Sequence, residues 1–215
     1  MRYILSTMLV VIPGFLFSQL NLPGIPRSCF WENQPLRYQI TSSGINIESG
    51  PKTDWFRDPN VTYNTDNAPK LLFTADENFV IKGSLKHSFK EKWDGGALVL
   101  KGDSLHWIKF CFEKDYLGMH RVVTVVTNDI SDDCNAVALT GDQVYYKMAK
   151  SKNVITMYYS TNAKDWILVR HLQFNFPGPL RLGWLAQSPE GKNCQVSFDH
   201  WSYSDKAITD PYKGE

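Results

Sequence analysis

Residues 106–113 read His-Trp-Ile-Lys-Phe-Cys-Phe-Glu, and this strict period-two pattern constrains the fold more than any other feature of the chain. In an extended strand, successive side chains point to opposite sides. Ile108, Phe110 and Phe112 therefore share one face, and Trp107, Lys109, Cys111 and Glu113 share the other. Similar runs recur at 97–100, 121–127, 143–148, 155–160, 166–174, 180–186 and 194–203. Turn chemistry separates them, as in Asp94-Gly95-Gly96, Lys101-Gly102-Asp103 and Thr140-Gly141-Asp142. The segment 159–166 reads as a hairpin with a polar tip. Helical periodicity hardly appears. Many short strands with little helix predict an all-β sandwich or barrel.

A chain of 215 residues with 43% hydrophobic and 13% aromatic content can bury a substantial core, which excludes a disordered chain. No composition break, repeat or low-complexity tract follows residue 19, so 19–215 is expected to be one domain. Residues 1–18 read as a secretory signal: Arg2 is followed by a mostly apolar run from Ile4 to Phe17, and Ser18 supplies the small residue at a cleavage point. That run is too short to span a bilayer. A secreted or periplasmic location is expected, with no membrane attachment after cleavage. The net charge of +1 argues against a nucleic-acid partner. Export would permit a disulfide among Cys29, Cys111, Cys134 and Cys194, with the pairing open. No zinc or cofactor motif occurs, and the five histidines show no ligand spacing.

The mixed face of 106–113 carries the candidate chemistry. A Trp beside a Lys and a carboxylate on a rigid sheet suits a sugar, with the indole stacking on C–H groups and the charged groups bonding hydroxyls. Trp55, Arg57, Trp166, Arg170 and Trp184 are further candidates for such a surface. The plainer reading fills the core with these Trp residues and pairs Lys109 with Glu113. Ser131-Asp132-Asp133-Cys134-Asn135 reads as a polar cluster that caps a turn, or as paired carboxylates for Ca²⁺ or acid–base work. Neither a G-x-S-x-G nor an H-E-x-x-H motif is present. Asn60-Val61-Thr62 is a glycosylation sequon.

Several motifs in order carry a family resemblance. They are Cys29-Phe30-Trp31-Glu32-Asn33-Gln34-Pro35, Asp54-Trp55-Phe56-Arg57, Trp93-Asp94-Gly95-Gly96-Ala97-Leu98, the strand 107–113, Val125-Val126-Thr127-Asn128 with 131–135, Ser188-Pro189, and Val196-Ser197-Phe198. Together they make the chain resemble the DUF1349 family of YesU-like and regulator-of-enolase-like proteins over roughly residues 29–203. The resemblance implies a concanavalin A-like jelly-roll of two antiparallel sheets. It also implies a concave face lined by Trp55, Arg57, Trp107, Lys109, Glu113, Thr127 and Asp132, with no catalytic role assigned to any of them. One departure is Gln34, where the family's opening motif often has Glu.

These readings lead to an exported, lectin-like protein that binds an oligo- or polysaccharide without catalysis. The alternative is a saccharide hydrolase or lyase using Glu113 with Asp115 or Asp132. A protein-interaction module would instead show an exposed apolar patch.

Overall fold

A computed structural model describes residues 19–215, so the expected signal at 1–18 lies outside the described residues. Sixteen strands run in chain order: β1 (Phe30–Glu32), β2 (Arg37–Ile40), β3 (Gly44–Ser49), β4 (Trp55–Arg57), β5 (Asn64–Asp66), β6 (Lys70–Thr74), β7 (Phe79–His87), β8 (Gly95–Lys101), β9 (His106–Lys114), β10 (His120–Asn128), β11 (Ile130–Leu139), β12 (Gln143–Ser151), β13 (Val154–Ser160), β14 (Ile167–Gln173), β15 (Arg181–Gln187) and β16 (Cys194–Ser204). No helix occurs among the described residues. One seven-stranded sheet has the order β1-β6-β15-β8-β9-β10-β11, and the other β14-β13-β12-β7-β16-β3-β2. Every pairing is antiparallel, and the two sheets pack face to face as a jelly-roll sandwich.

The alternation read from β9 is borne out. Ile108, Phe110 and Phe112 enter the core between the sheets, together with Ile81, Leu85, Tyr146 and Met148 from the opposite sheet. Two hydrogen bonds cross this core to the backbone of β9. The Tyr146 hydroxyl donates to the carbonyl of Cys111, and His87 Nε2 donates to that of Phe112 at 2.9 Å. The 159–166 hairpin is also present, joining β13 to β14.

The other face of β9 is covered as well. A separate two-stranded hairpin, β4–β5, lies over it and encloses a second apolar cluster of Trp55, Leu72, Ala97, Val99, Trp107, Cys111, Val123, Val125 and Leu185. β8 and β9 are consequently buried along almost their whole length, because one face meets the second sheet and the other meets the flap.

Two expectations change. The polar cluster 131–135 lies in strand β11 and caps no turn; only Asp129, at φ 67°, turns the chain between β10 and β11. An edge strand tolerates this composition because much of it faces water. The four cysteines are free thiols, three buried and Cys134 exposed. Cys29 and Cys194 belong to the core between the sheets, whereas Cys111 lies under the flap, on the other side of the first sheet.

Candidate functional site

The flap leaves a cavity of about 560 Å³ open beside it on the outer face of the first sheet. Lys109 and Glu113 of β9, Val125 of β10 and Asp133 of β11 form its floor, and Asp54 precedes the flap. The flap contributes Phe56, and its tip loop contributes Asp58, Asn60, Thr62 and Tyr63. Trp93, Gln187, Pro189 and Glu190 complete the opposite wall. The volume suits a small ligand.

Lys109 is nearly sealed, and its charge is answered locally. Its Nζ donates to Asp54 Oδ1 at 3.3 Å and to Gln187 Oε1 at 3.0 Å. Burial opposes the charge on Lys109, but Asp54, Cys111 and Glu113 together outweigh it and hold the pKa above the usual lysine value. Asp54 is itself fixed, because its amide donates to Asn67 Oδ1 and its carbonyl accepts from the amides of Asn67 and Ala68. The Lys109–Glu113 pairing considered from sequence is thus replaced by Lys109–Asp54.

Glu113 is 6% exposed. Burial pushes its pKa up to about 8, with Asp133 and Asp54 adding to the rise against Lys109. Burial likewise raises Asp133. Gly95 of β8 sits directly across from Glu113, where a Cβ would lie 2.8 Å from the Glu113 Cβ. Glycine keeps that space free for the acid.

Trp93 is held in the left-handed region at φ 67°, which a bulky residue rarely adopts. Its amide donates to the carbonyl of Lys114 at 2.7 Å, and its carbonyl accepts from Gln187 Nε2 at 3.0 Å. Gln187 therefore ties Lys109 on the floor to Trp93 on the wall. Tyr63, 43% exposed, stands on the flap side.

The seven residues proposed from sequence divide into three groups. Lys109 and Glu113 line the cavity. Trp55 and Trp107 stack on each other at 4.1 Å and are both buried, so neither ring is available to a ligand. They serve as the peg and socket of the flap, with the ammonium groups of Lys70 and Lys101 at 4.9 and 5.4 Å from the Trp55 ring. Arg57, Thr127 and Asp132 lie outside the cavity. The guanidinium of Arg57 donates to Asp129, its amide donates to Ser131 Oγ, and Thr127 Oγ1 bonds Ser131 Oγ at 2.9 Å, which fastens the flap to the β10–β11 turn. Asp132 points to the other face of β11 and pairs with Arg170 at 3.2 Å.

Trp184 belongs to the core between the sheets, and Trp166 lies against Lys147 of the second sheet. Asp115 is committed to Arg121 and to the amides of Leu117 and Met119, so it closes a turn. Sequence reasoning missed Asp54, Trp93 and Gln187, and named Asp133 only within the 131–135 carboxylate cluster. For Asp133 the signal was available: in the hairpin register it faces Val125, which faces Lys109, so all three share a side. No group of three or more His, Cys, Asp or Glu among the described residues is arranged to hold a metal ion.

The family described as "Protein of unknown function (DUF1349)" matches residues 31–206. The chain belongs to the DUF1349 family. A curated relative, Regulation of enolase protein 1 of Saccharomyces cerevisiae, is 25% identical over 173 residues, covering 80% of this chain and 87% of the relative. A crystal structure of a functionally unknown protein from Saccharomyces cerevisiae superposes with TM-score 0.76 at 24% identity, over 85% of this chain and 97% of that one. Two more distant structures share the fold alone. The GH43 protein BlXynB from Bacillus licheniformis matches at TM-score 0.59 and 13% identity, over 75% of this chain and 33% of its own. The exoplasmic/lumenal domain of VIP36, in a Ca²⁺/Man₃GlcNAc-bound form, matches at TM-score 0.50 and 9% identity, over 86% and 90%.

Proposed function

We propose that this DUF1349 protein is an exported, lectin-like protein that binds a carbohydrate in the cavity between the flap and the first sheet. The observation that carries the reading is the wall-and-floor unit Trp93–Gln187–Lys109–Asp54. It presents an aromatic ring, forced into place by an unusual backbone, beside buried polar groups fixed by mutual hydrogen bonds. Apolar walls with a few converging polar groups suit a pyranose. The stacking ring is Trp93, aided by Tyr63, in place of the Trp107 expected from sequence. The lectin-like fold supports the reading only by analogy.

The test is binding of the protein from Gln19 onward to a glycan and polysaccharide panel, beside Trp93→Ala and Trp107→Phe. Binding lost in Trp93→Ala and kept in folded Trp107→Phe supports the site; binding indifferent to Trp93 removes it. Export is tested by N-terminal sequencing of protein recovered outside the cytoplasm, which should begin near Gln19.

One observation favours a second reading. Glu113 holds a proton near neutral pH beside a second carboxyl, Asp133, as a general acid requires. In that case reducing ends are released from a panel member, and Glu113→Gln abolishes the release while leaving binding intact.

A further inference from the structure

Glu113 is a buried acid whose neighbouring cations are both engaged elsewhere. Lys109, on the same face of β9, is taken by Asp54 and Gln187. Arg121 lies directly across on β10, but its Nε donates to Asp115 and its Nη1 to the carbonyl of Ala136 at 3.2 Å. On the β8 side stands Gly95, which brings no group at all. Asp133 of β11 and Asp54 before the flap add negative charge, and of the remaining neighbours only the Cys111 thiol offers a weak hydrogen bond. Glu113 is 6% exposed, forms no ion pair among the described residues and faces into the cavity.

The cavity as a whole has the same imbalance. Five carboxyl residues line it, and Lys109 is its one basic lining residue among those described. On the rim Glu190 is met by Lys92 at 3.2 Å, whereas on the floor Glu113 and Asp133 form no ion pair among the described residues and feel only the Lys109 charge already held by Asp54. Asp133 is solvent-exposed, whereas Glu113 is buried without an ion pair, and an acid so placed holds its proton unless a ligand brings the positive charge.

We propose that the cavity selects ligands bearing a protonated amine, an amino sugar with a free ammonium group, which ion-pairs with Glu113 and Asp133, and that it rejects uronates and sulfated sugars. This rests on the carbohydrate reading above and narrows it. Near neutral pH Glu113 enters the event as the carboxylic acid. The arriving ammonium converts it to the carboxylate, and the displaced proton goes to solvent, so binding releases a proton. A uronate would bring a further negative charge among groups already short of positive charge.

The experiment is calorimetry in two buffers of different ionisation heat, using four probes: glucosamine oligomers, their N-acetylated counterparts, glucuronate oligomers and 1,5-diaminopentane. The glucosamine oligomers should bind at least about tenfold tighter than the acetylated ones, the scale of one charge-assisted pair. They should also release a proton, and glucuronate should not bind. Glu113→Gln should remove the preference and the proton release together, and Asp133→Asn, on a partly exposed edge strand, should weaken the same preference if the first variant misfolds. Equal binding of free and acetylated oligomers, or tighter binding of glucuronate, overturns the inference and leaves the carbohydrate reading standing. Binding of the diamine without any sugar keeps the ammonium site and overturns the carbohydrate reading. No binding by any probe overturns both.

Discussion

Replacing Glu113 by Gln should stabilise the protein at alkaline pH. The sign follows from proton linkage: a carboxyl with a raised folded-state pKa binds more protons when folded, so stability falls as pH rises between its unfolded and folded pKa values. For Glu113 the window runs from the ordinary 4.5 to about 8. Each tenfold step across it costs about 1.4 kcal/mol, so the wild type should lose roughly 4 kcal/mol relative to Glu113→Gln between about pH 5 and pH 9. Glutamine keeps the shape and removes the titration, so the difference between the two proteins isolates this group from every other that titrates. Urea midpoints of both proteins at six or so pH values would measure it, with the slope m checked for constancy. Two unfolding curves that stay parallel across the range would refute the argument that Glu113 is a buried acid without an ion pair.

Three further outcomes follow from the same structure. His87 has a pKa depressed to about 3 by burial, and its Nδ1 accepts from the amide of Phe89 at 3.3 Å, so protonation there breaks a bond as well as burying a charge. Stability should therefore be full above about pH 6.5 and fall as the solution is acidified, and a folded His87→Gln should flatten that slope in acid denaturation. Trp55→Ala removes the buried peg of the flap and should cost about 3–5 kcal/mol by chemical denaturation, with limited proteolysis cutting the 58–63 loop first. Lys109→Met strands Asp54 beneath the flap and should cost about 3 kcal/mol, recovered in large part by adding Asp54→Asn.

The period-two runs gave the strands because the core between the sheets imposes alternation on every strand that crosses it. The face of β9 away from that core was harder to interpret. Alternation says which side a residue points to and is silent about what covers that side. Trp107 looked ligand-facing because it shares a face with Lys109 and Glu113, yet the flap carrying Trp55 comes from more than fifty residues earlier and seals one end of the face only. Asp132 and Asp133 read together from sequence, as a turn cap or as paired carboxylates. Once β11 is a strand, adjacent residues must part, and only Asp133 reaches the cavity. Trp93 and Gln187 came together through backbone geometry at φ 67° and a long-range hydrogen bond, neither of which leaves a periodic mark in sequence.

The β4 and β5 strands pair along their backbones with each other and with no strand of either large sheet, whereas β9 is paired on both edges and covered on both faces. Amide protons in the two regions should therefore exchange with solvent by different routes: in β9 through global unfolding, in the flap through a smaller opening of its own. The cavity takes its floor from the slow region and one wall from the fast one. An occupant that touches both would slow deuterium uptake at Phe56 and Tyr63 by holding the flap closed, and at Phe110 by making global unfolding less favourable.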